Sequence, residues 1–585
     1  MFGVPPLSGL SEKIIRYSER IFMKIVIVGG VAGGATAAAR IRRLDEQAQI
    51  IVFERSGYVS YANCGLPYYI GDVITDPEAL TLQTPESFFK RFRVTMKVHH
   101  EVTALHPERK TVSVKNLTTG EVFEESYDKL ILSPGAKPTQ PKLPGIDMKK
   151  VFTLRTVEDT FRLKKYIETK KPTSAVLAGG GFIGLELAEN LKDLGIDVTI
   201  VQRPKQLMNP FDADMASFIH NEMRKHGVKL LLGRTVEGFE EKGETIRVLL
   251  KDEQPLHADL VVLAIGVTPD THLAKEAGLQ LGIKDSIVVN DRMETSIPDI
   301  YAAGDAVMVK HYVTGRDALI SLAGPANKQG RIIADNICGG DSHYLGSQGS
   351  SVIKVFDLTA ATTGINETNA RKAGLDVDTV ILSPMNHAGY YPGGKVMTMK
   401  VVFEKNTYRL LGAQIVGYEG VDKRIDVLST TIHANLKATS LQDLDLAYAP
   451  PYSSAKDPVN MAGFMIDNIA NGVLKQWHLS DLTSVLQDSN ATLLDVRTIS
   501  EYEHSHIEGF KNIPVDELRD HLSEIEKDKP VYVICQSGLR SYIATRILSQ
   551  NGYDAYNFAG GFRFYEAVMH DRSLVEKETA CGMDL

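Results

Sequence analysis

Cysteine is scarce in this chain. Four occur in 585 residues, at positions 64, 338, 535 and 581, and no two lie close in sequence. That spacing excludes a disulfide framework and points to a reducing, cytoplasmic setting. It also leaves Cys64 without a second thiol close in sequence. Long apolar runs are missing as well, none reaching the ~18–20 residues that span a bilayer. Basic residues are not in excess: 65 Lys and Arg stand against 73 Asp and Glu, for a net charge of −8. The chain therefore carries no general electrostatic footprint for nucleic acid or membrane. Residues 1–22 precede a second methionine, Met23, and lack the apolar stretch of a secretory signal; they form an N-terminal extension outside the fold argument. No metal ligands are assigned. What remains is ordinary globular composition, 43% apolar and 24% charged, in a chain long enough for three or four domains.

Two strand–glycine–helix units stand out, about 150 residues apart. The first runs from Lys24 to Arg40 with Gly29, Gly30, Gly33 and Gly34 at its turn. Its next strand ends in Glu54, 20 residues after Gly34. The second begins at Ala175 and fits G-x-G-x-x-G fully with Gly179, Gly181 and Gly184; the first has Val31 at the middle position. Glycine belongs at such turns because a pyrophosphate meets helix N-terminal amides only where no Cβ intervenes. Glu54 stands where a carboxylate binds ribose hydroxyls. At the matching place in the second unit stand Gln202 and Arg203. Gln202 accepts a hydroxyl hydrogen bond, which favours NADH, while Arg203 suits a 2′-phosphate and leaves NADPH open.

Apolar strands ending in glycine recur at Leu130–Ala136 and Val261–Pro269, and Ile300-Tyr-Ala-Ala delivers Asp305 beside Gly304. From about Ser351 the pattern becomes strands plus helices rich in Tyr, Gly and Pro. After a turn at Asn471-Gly472, short strands (Leu493–Val496, Val531–Ile534) alternate with helical runs, predicting a small α/β domain. There Cys535-Gln-Ser-Gly-Leu-Arg540-Ser541 follows a strand and opens a helix. Successive N–H groups, Arg540 and the helix N-terminus make it an anion cradle suited to an anionic persulfide. The same loop type would suit a phosphatase, but six residues fit sulfur better than the larger phosphate.

Residues 23 to about 465 resemble the two-dinucleotide flavoprotein disulfide reductases, on the two glycine units, Ala-Ile-Gly-Val-Thr-Pro and Tyr-Ala-Ala-Gly-Asp-Ala. Ser60-Tyr-Ala-Asn-Cys64-Gly-Leu-Pro-Tyr and Gly29-Gly-Val-Ala-Gly-Gly are similar to the coenzyme A-disulfide reductase and persulfide reductase branch. The Cys535 loop, Leu494-Asp-Val-Arg497 and Ile507-Glu-Gly-Phe-Lys-Asn-Ile-Pro resemble rhodanese domains; Asp495 and Arg497 would fix the loop. The resemblance implies an α/β chain with two Rossmann-like domains, an α+β dimerisation domain and a small α/β rhodanese domain. The expected divisions are 23–145 with 271–350 for FAD, 146–270 for NAD(P)H, 351–470 for dimerisation and 478–585 for the rhodanese domain. It implies FAD contacts from Gly29, Gly30, Ala32, Gly33, Gly34, Glu54, Arg55, Ser133, Gly135, Gly304 and Asp305, and nicotinamide contacts from Gly179, Gly181, Gly184 and Gln202. Thr36, Arg40, Arg43, Ser60, Asn63 and Lys456 would bind coenzyme A. Tyr390, Tyr391 and Tyr448 would reach the flavin and cysteine of the other subunit in a homodimer.

A lone thiol beside a flavin has two uses. It attacks an external disulfide or persulfide, or it cycles through a sulfenic acid while reducing oxygen or peroxide. To act near neutrality it needs positive charge, a helix terminus or flavin contact. No C-terminal His-Glu pair is present, so a tyrosine hydroxyl or solvent protonates the leaving thiolate. The expectation is NAD(P)H-driven reduction of coenzyme A disulfide, coenzyme A persulfide or polysulfide at Cys64, with Cys535 handling sulfane sulfur. The alternatives are a water- or peroxide-forming NADH oxidase and a redox adaptor. Cys338 reads as structural and Cys581 as a tail residue.

Overall fold

The computed structural model describes residues 22–580, with side chains to residue 575; Cys581 and all but the last residue of the extension lie outside the described residues. The apolar runs that open each glycine unit become the central strands of two parallel sheets. In the first, Lys24–Val28 lies between Gln49–Phe53 and Lys129–Leu132, with Thr95–Lys97 and Ile300–Ala302 at the edges. Such strands are covered on both faces, which is why they read as continuous Val/Ile/Leu runs rather than alternating ones. Ile300–Ala302 returns to this sheet after the whole second sheet has been built. The following helix, Ala323–Ile337, packs so tightly on helix Ala32–Leu44 that a Cβ at Gly330 would lie 2.4 Å from the carbonyl oxygen of Gly33.

The second sheet repeats the plan: Val151–Thr153, Leu260–Leu263, Ser174–Ala178, Asp197–Gln202 and Lys229–Leu232, all parallel. A third sheet is antiparallel, in the order Ser351–Val355, Leu358–Gly364, Leu410–Gly417, Met397–Glu404, Val377–Leu382, with helices Val421–His433 and Pro458–Ala470. The last sheet is parallel again: Gln476–Trp477, Ala555–Phe558, Val531–Ile534, Thr492–Asp495, Lys511–Asn512. The α/β class and its α+β third unit are as expected. Among the described residues no helix is long and apolar enough to cross a membrane.

The last unit is fastened to the rest by buried polar groups. Its final helix, Gly561–Ala580, sends Asp571 against helix Ala213–Lys225. There Asp571 accepts from His220 Nδ1 at 2.8 Å and Arg224 at 2.5 Å. The backbone N–H of Leu207 donates to His220 Nε2 at 2.9 Å, which leaves the ring proton on Nδ1, aimed at Asp571. Gln476 and His478 reach Asp378 of the third sheet. A second staple joins the second and third sheets: buried Lys400 touches Asp214 at 2.7 Å, Glu367 at 2.9 Å and Asp212 at 3.2 Å.

Burial works against ionising Asp571, but His220 and Arg224 overcome it and hold the carboxyl below its ordinary range. A depressed carboxylate stabilises the fold above its unfolded pKa, and that contribution is lost as pH falls through the lower folded value. Asp571→Ala, which leaves the buried His220 Nδ1–H without its acceptor, is expected to cost about 1–3 kcal/mol of docking. Limited proteolysis should then cut before residue 478 at neutral pH; a cleavage pattern like that of the unaltered protein would show that the latch does not hold the unit.

Candidate active site

The two glycine turns are built alike. Gly29 and Gly179 have φ of +95° and +114°. A Cβ on Gly34 would fall 1.9 Å from the Gly29 oxygen, and one on Gly184 would fall 2.2 Å from the Gly179 oxygen. Each turn then donates a backbone N–H to the end of its second strand: Gly30 to Glu54 Oε2 at 2.9 Å, and Gly180 to Gln202 Oε1 at 3.0 Å. The middle glycine of the second turn behaves differently, because a Cβ at Gly181 meets no atom within 4 Å. That position faces outward at the N-terminus of helix Phe182–Asp193. The equivalent place in the first turn holds Val31, the N-cap residue of helix Ala32–Leu44.

These cradles fit two dinucleotides. The outward faces are open at helix N-termini, and Glu54 is a buried carboxylate whose other oxygen also takes only one protein N–H, that of Ser56. A Cβ on Gly33 would press on Ser133 Oγ at 2.7 Å, and Gly135 turns with φ of +72°. Gly304 donates its N–H to Gln329 at 2.8 Å. Asp305 accepts from Arg155 at 2.7 Å, an arginine delivered from the edge of the second sheet. Sequence reasoning missed Arg155, which has no motif around it. Arg55, expected at the cofactor, is half-exposed and pairs with Asp270 at 2.7 Å.

Cys64 sits in the turn Asn63–Gly65 between strand Val59–Tyr61 and helix Leu66–Ile70. Ser60 adopts φ of +47°, and its N–H donates to the Gly30 oxygen at 2.9 Å. The cysteine segment is thus tied to the first glycine turn. The thiol is exposed on one side, yet its surroundings do not activate it. Burial of its inner side pushes the thiol pKa up, Glu186 and Asp305 push the same way, and Arg155 alone opposes them. Of the activating features named for this cysteine, positive charge is supplied by Arg155, and burial together with the two carboxylates outweighs it. Glu186, on helix Phe182–Asp193, is itself pushed up to about 7 by burial and by Glu189, against a hydrogen bond from Tyr68. Tyr68, four residues past the cysteine, is pushed up to about 12 by burial and the same carboxylates.

Of the groups expected at coenzyme A, Thr36 donates to Asn327 at 2.8 Å and Arg40 pairs with Asp335 at 2.7 Å. Arg43 and Lys456 are exposed, and Asn63 and Ser60 flank the thiol. Tyr390 and Tyr448, 58 residues apart, meet hydroxyl to hydroxyl at 2.7 Å. Tyr391 instead stands edge-on against His387 at 5.6 Å between ring centres. Arg424, which the sequence gave no reason to single out, fastens the two tyrosine loops together. Its buried guanidinium donates to Asn386 O at 2.8 Å, to Ser453 Oγ at 3.2 Å and to Asp457 Oδ2 at 3.0 Å. Tyr390 and Tyr452 are 75% and 72% exposed, an aromatic face few isolated surfaces carry.

In the last unit Cys535 is fully buried, and its Sγ accepts from Gly538 N–H and Ser541 Oγ–H, each at 3.1 Å. Gly538, with φ of +98°, turns the chain into helix Leu539–Gln550. Phe562 and Arg563 donate their N–H groups to Cys535 and Gln536 oxygens, holding the loop from behind. Arg497 lies on Asp495 at 2.7 Å and over the Phe562 ring at 3.8 Å.

Paired dinucleotide cradles, with one thiol tied to the first of them, define a two-dinucleotide redox protein to which a sulfur-binding unit is joined. Residues 23–330 match the pyridine nucleotide-disulphide oxidoreductase family, 350–458 its dimerisation domain and 478–567 the rhodanese-like domain. Coenzyme A disulfide reductase of Staphylococcus aureus (strain JH9) is 38% identical over 442 residues, 75% of this chain and 99% of that protein. The reduced CoADR-RHD of Bacillus anthracis is 48% identical, with a TM-score of 0.92 over 94% of this chain and 99% of that one. A NAD-dependent persulfide reductase from A. fulgidus is 38% identical, with a TM-score of 0.87 over 93% of this chain and 100% of that one. The chain belongs to the pyridine nucleotide-disulphide oxidoreductase family, with a rhodanese-like domain at its C-terminal end. Membership implies FAD and NAD(P)H as cofactors, and the dimerisation domain indicates a homodimer.

Glu186→Gln removes a like charge from the neighbourhood of the thiol, so the Cys64 pKa should fall. Iodoacetamide should then modify Cys64 a few-fold faster near neutral pH, read by peptide mass across a pH series. A rate profile identical to that of the parent would mean that the carboxylate does not act on the sulfur.

Proposed function

We propose that this protein is a cytoplasmic, homodimeric reductase of coenzyme A disulfide, coenzyme A persulfide or polysulfide, in which Cys64 takes up external sulfur and Cys535 accepts or delivers sulfane sulfur. The observation that carries this reading is the exposed Cys64 thiol, tied to a dinucleotide turn and, among the described residues, free of any disulfide partner. Bound FAD supplies two-electron transfer between the nicotinamide and sulfur. The Cys64 thiolate attacks the distal sulfur of a coenzyme A disulfide. One S–S bond forms, one breaks, and the leaving thiolate takes a proton. Two electrons and a second proton then return Cys64 to thiolate and release the other thiol. With a persulfide the products are sulfide and free coenzyme A.

Several features of the chain support roles for particular residues. Gly29, Gly30, Ala32, Gly33, Gly34, Glu54, Ser133, Gly135, Gly304 and Asp305 line the first cradle and would hold FAD; Arg55 would do so at its rim. Gly179, Gly181, Gly184 and Gln202 would hold the nicotinamide dinucleotide. Thr36, Arg40, Arg43, Ser60, Asn63 and Lys456 would bind coenzyme A, with Arg40 exchanging Asp335 for a phosphate oxygen. The Tyr390–Tyr448 hydroxyl pair supplies a proton donor to the leaving thiolate, and Tyr391 lines the same face. The aromatic surface supports their delivery to a second subunit. Gln202 offers a neutral acceptor, so NADH is preferred while a 2′-phosphate meets no repulsion.

The deciding experiment uses Cys64→Ser. Sulfide release from coenzyme A persulfide with NADH should fall at least a hundredfold, and oxygen uptake without a sulfur substrate should stay small in the parent. Oxygen consumption matching NADH turnover, with no sulfide formed, would replace this reading by an oxidase. Cys535→Ser should abolish sulfane transfer and spare coenzyme A disulfide reduction.

Gln202→Glu should raise the NADH over NADPH ratio of kcat/KM about tenfold, since one part-buried charge repelling a phosphate is worth ~1.4 kcal/mol. An unchanged ratio would place the ribose elsewhere.

A further inference from the structure

The cradle around Cys535 has two guanidinium groups, and each is already matched by its own carboxylate. Arg497 is buried and held through Nε and Nη2 by Asp495, at 2.9 Å and 2.7 Å to Oδ2. Arg540, the cation that the loop itself supplies, grips Glu501 in a two-pronged pair, Nη1 to Oε2 and Nη2 to Oε1, both at 2.7 Å. Glu501 is fixed in turn by Thr498, whose N–H and hydroxyl both donate to Oε2 at 2.9 Å and 2.8 Å. Glu501 lies on the short helix Ile499–His504, 39 residues before Arg540, and neither motif around Cys535 includes it.

Charge counting over these groups has a chemical consequence. Two guanidinium groups and two carboxylates sum to zero. The attraction left for an incoming sulfur donor comes from the loop N–H groups, Ser541 and the helix N-terminus. These suffice for one negative charge close to Sγ. A dianion puts its second charge farther from Sγ, towards Arg540, and Glu501 cancels what Arg540 would offer.

We infer that Glu501 sets the donor specificity of the rhodanese-like domain, excluding dianionic donors of the thiosulfate kind and admitting singly charged or neutral persulfides. This rests on the reading of Cys535 as a sulfur-accepting thiol. With a persulfide, the Cys535 thiolate attacks the terminal sulfur of R–S–SH, the S–S bond breaks, and R–SH departs carrying the bonding pair and the proton. With thiosulfate the same attack expels sulfite with the bonding pair. Either way Cys535 becomes Cys–S–S⁻, and cyanide takes the outer sulfur as thiocyanate and returns the thiolate. Sulfur transfer is thus the same chemistry for both donors, and only the charge of the departing group differs. Arg540 holds the Glu501 pKa at about 2, so the carboxylate stays ionised throughout the working pH range.

The test compares thiosulfate and 2-hydroxyethyl persulfide as donors to cyanide in the full-length flavoprotein. Glu501→Gln keeps an oxygen for Arg540 and Thr498 while removing the charge. It should raise kcat/KM for thiosulfate about tenfold, chiefly through KM, and change that for the persulfide less than twofold. Glu503→Gln, an exposed neighbour on the same helix, should move neither. The gain should vanish in the double variant Glu501→Gln, Arg540→Gln, since it depends on a released guanidinium. Sulfite inhibition offers a second readout, tightening in Glu501→Gln in parallel with the thiosulfate KM. A thiosulfate kcat/KM within twofold of the parent, or an equal rise for both donors, would overturn the inference. Loss of transfer from both donors with coenzyme A disulfide reduction intact would make Glu501 a structural prop and overturn it too. A parent protein that accepts sulfur from neither donor would instead remove the sulfurtransferase reading itself.

Discussion

A thiol without a neighbouring thiol cannot store two electrons as an internal bridge, and that constraint organises the first three units of this protein. Cys64 is unpaired among the described residues, as are Cys338 and Cys535. Whatever oxidised sulfur partner Cys64 takes must come from outside, so the segment carrying it has to be exposed and fixed at once. The structure meets both needs by tying the strained Ser60 backbone to Gly30, while the thiol remains open to solvent. The cost of a left-handed serine, of order 1–3 kcal/mol, is sustained by the surrounding turn. Placing the sulfur by the backbone of the cofactor turn means that helix, turn and thiol move as one body.

Local chemistry was legible in the sequence and long-range chemistry was not. The glycine turns, Glu54 and the Cys535 loop announce themselves because their parts lie within some twenty residues and each spacing has a steric reason. Val31 read as a departure from the fingerprint, and the structure makes it the N-cap residue of helix Ala32–Leu44. Tyr390 and Tyr448 were both named, but nothing in a linear chain joins hydroxyls 58 residues apart. Arg155, Glu186, Arg424 and Glu501 carry no signal of their own; each matters only through a partner that the fold brings to it. Thr36 and Arg40 were named as well, but their partners 291 and 295 residues away have no signal in the linear chain. Charge type and helix face can be read from sequence, whereas prior occupancy cannot.

Carboxylates recur at places where a cation alone would suggest anion binding. Asp335 meets Arg40, Asp305 meets Arg155, and Glu501 meets Arg540, each at 2.7 Å. In every case the pair keeps a guanidinium oriented and lowers the net field it projects. An arginine held this way gives up a carboxylate only to a ligand that offers comparable geometry and charge, which makes the pair a filter rather than an attractor. At Arg40, under the proposed function, this favours phosphate, whose oxygens match the planar fork; at the Cys535 loop it disfavours a second negative charge.

The buried attachments of the last unit bear on how sulfur travels. Helix Gly561–Ala580 is anchored by Asp571 to two donors of the second sheet's helix, and Asp378 of the third sheet holds His478. Swinging the Cys535 loop towards another thiol as a rigid body would break both attachments and expose unpaired charge, a cost of several kcal/mol. Moving a small thiol that carries sulfur costs only the ordering of its own rotors. Under the proposed function a small persulfide carrier is therefore the cheaper route between the two thiols, and a rigid-body swing of the domain the costlier one.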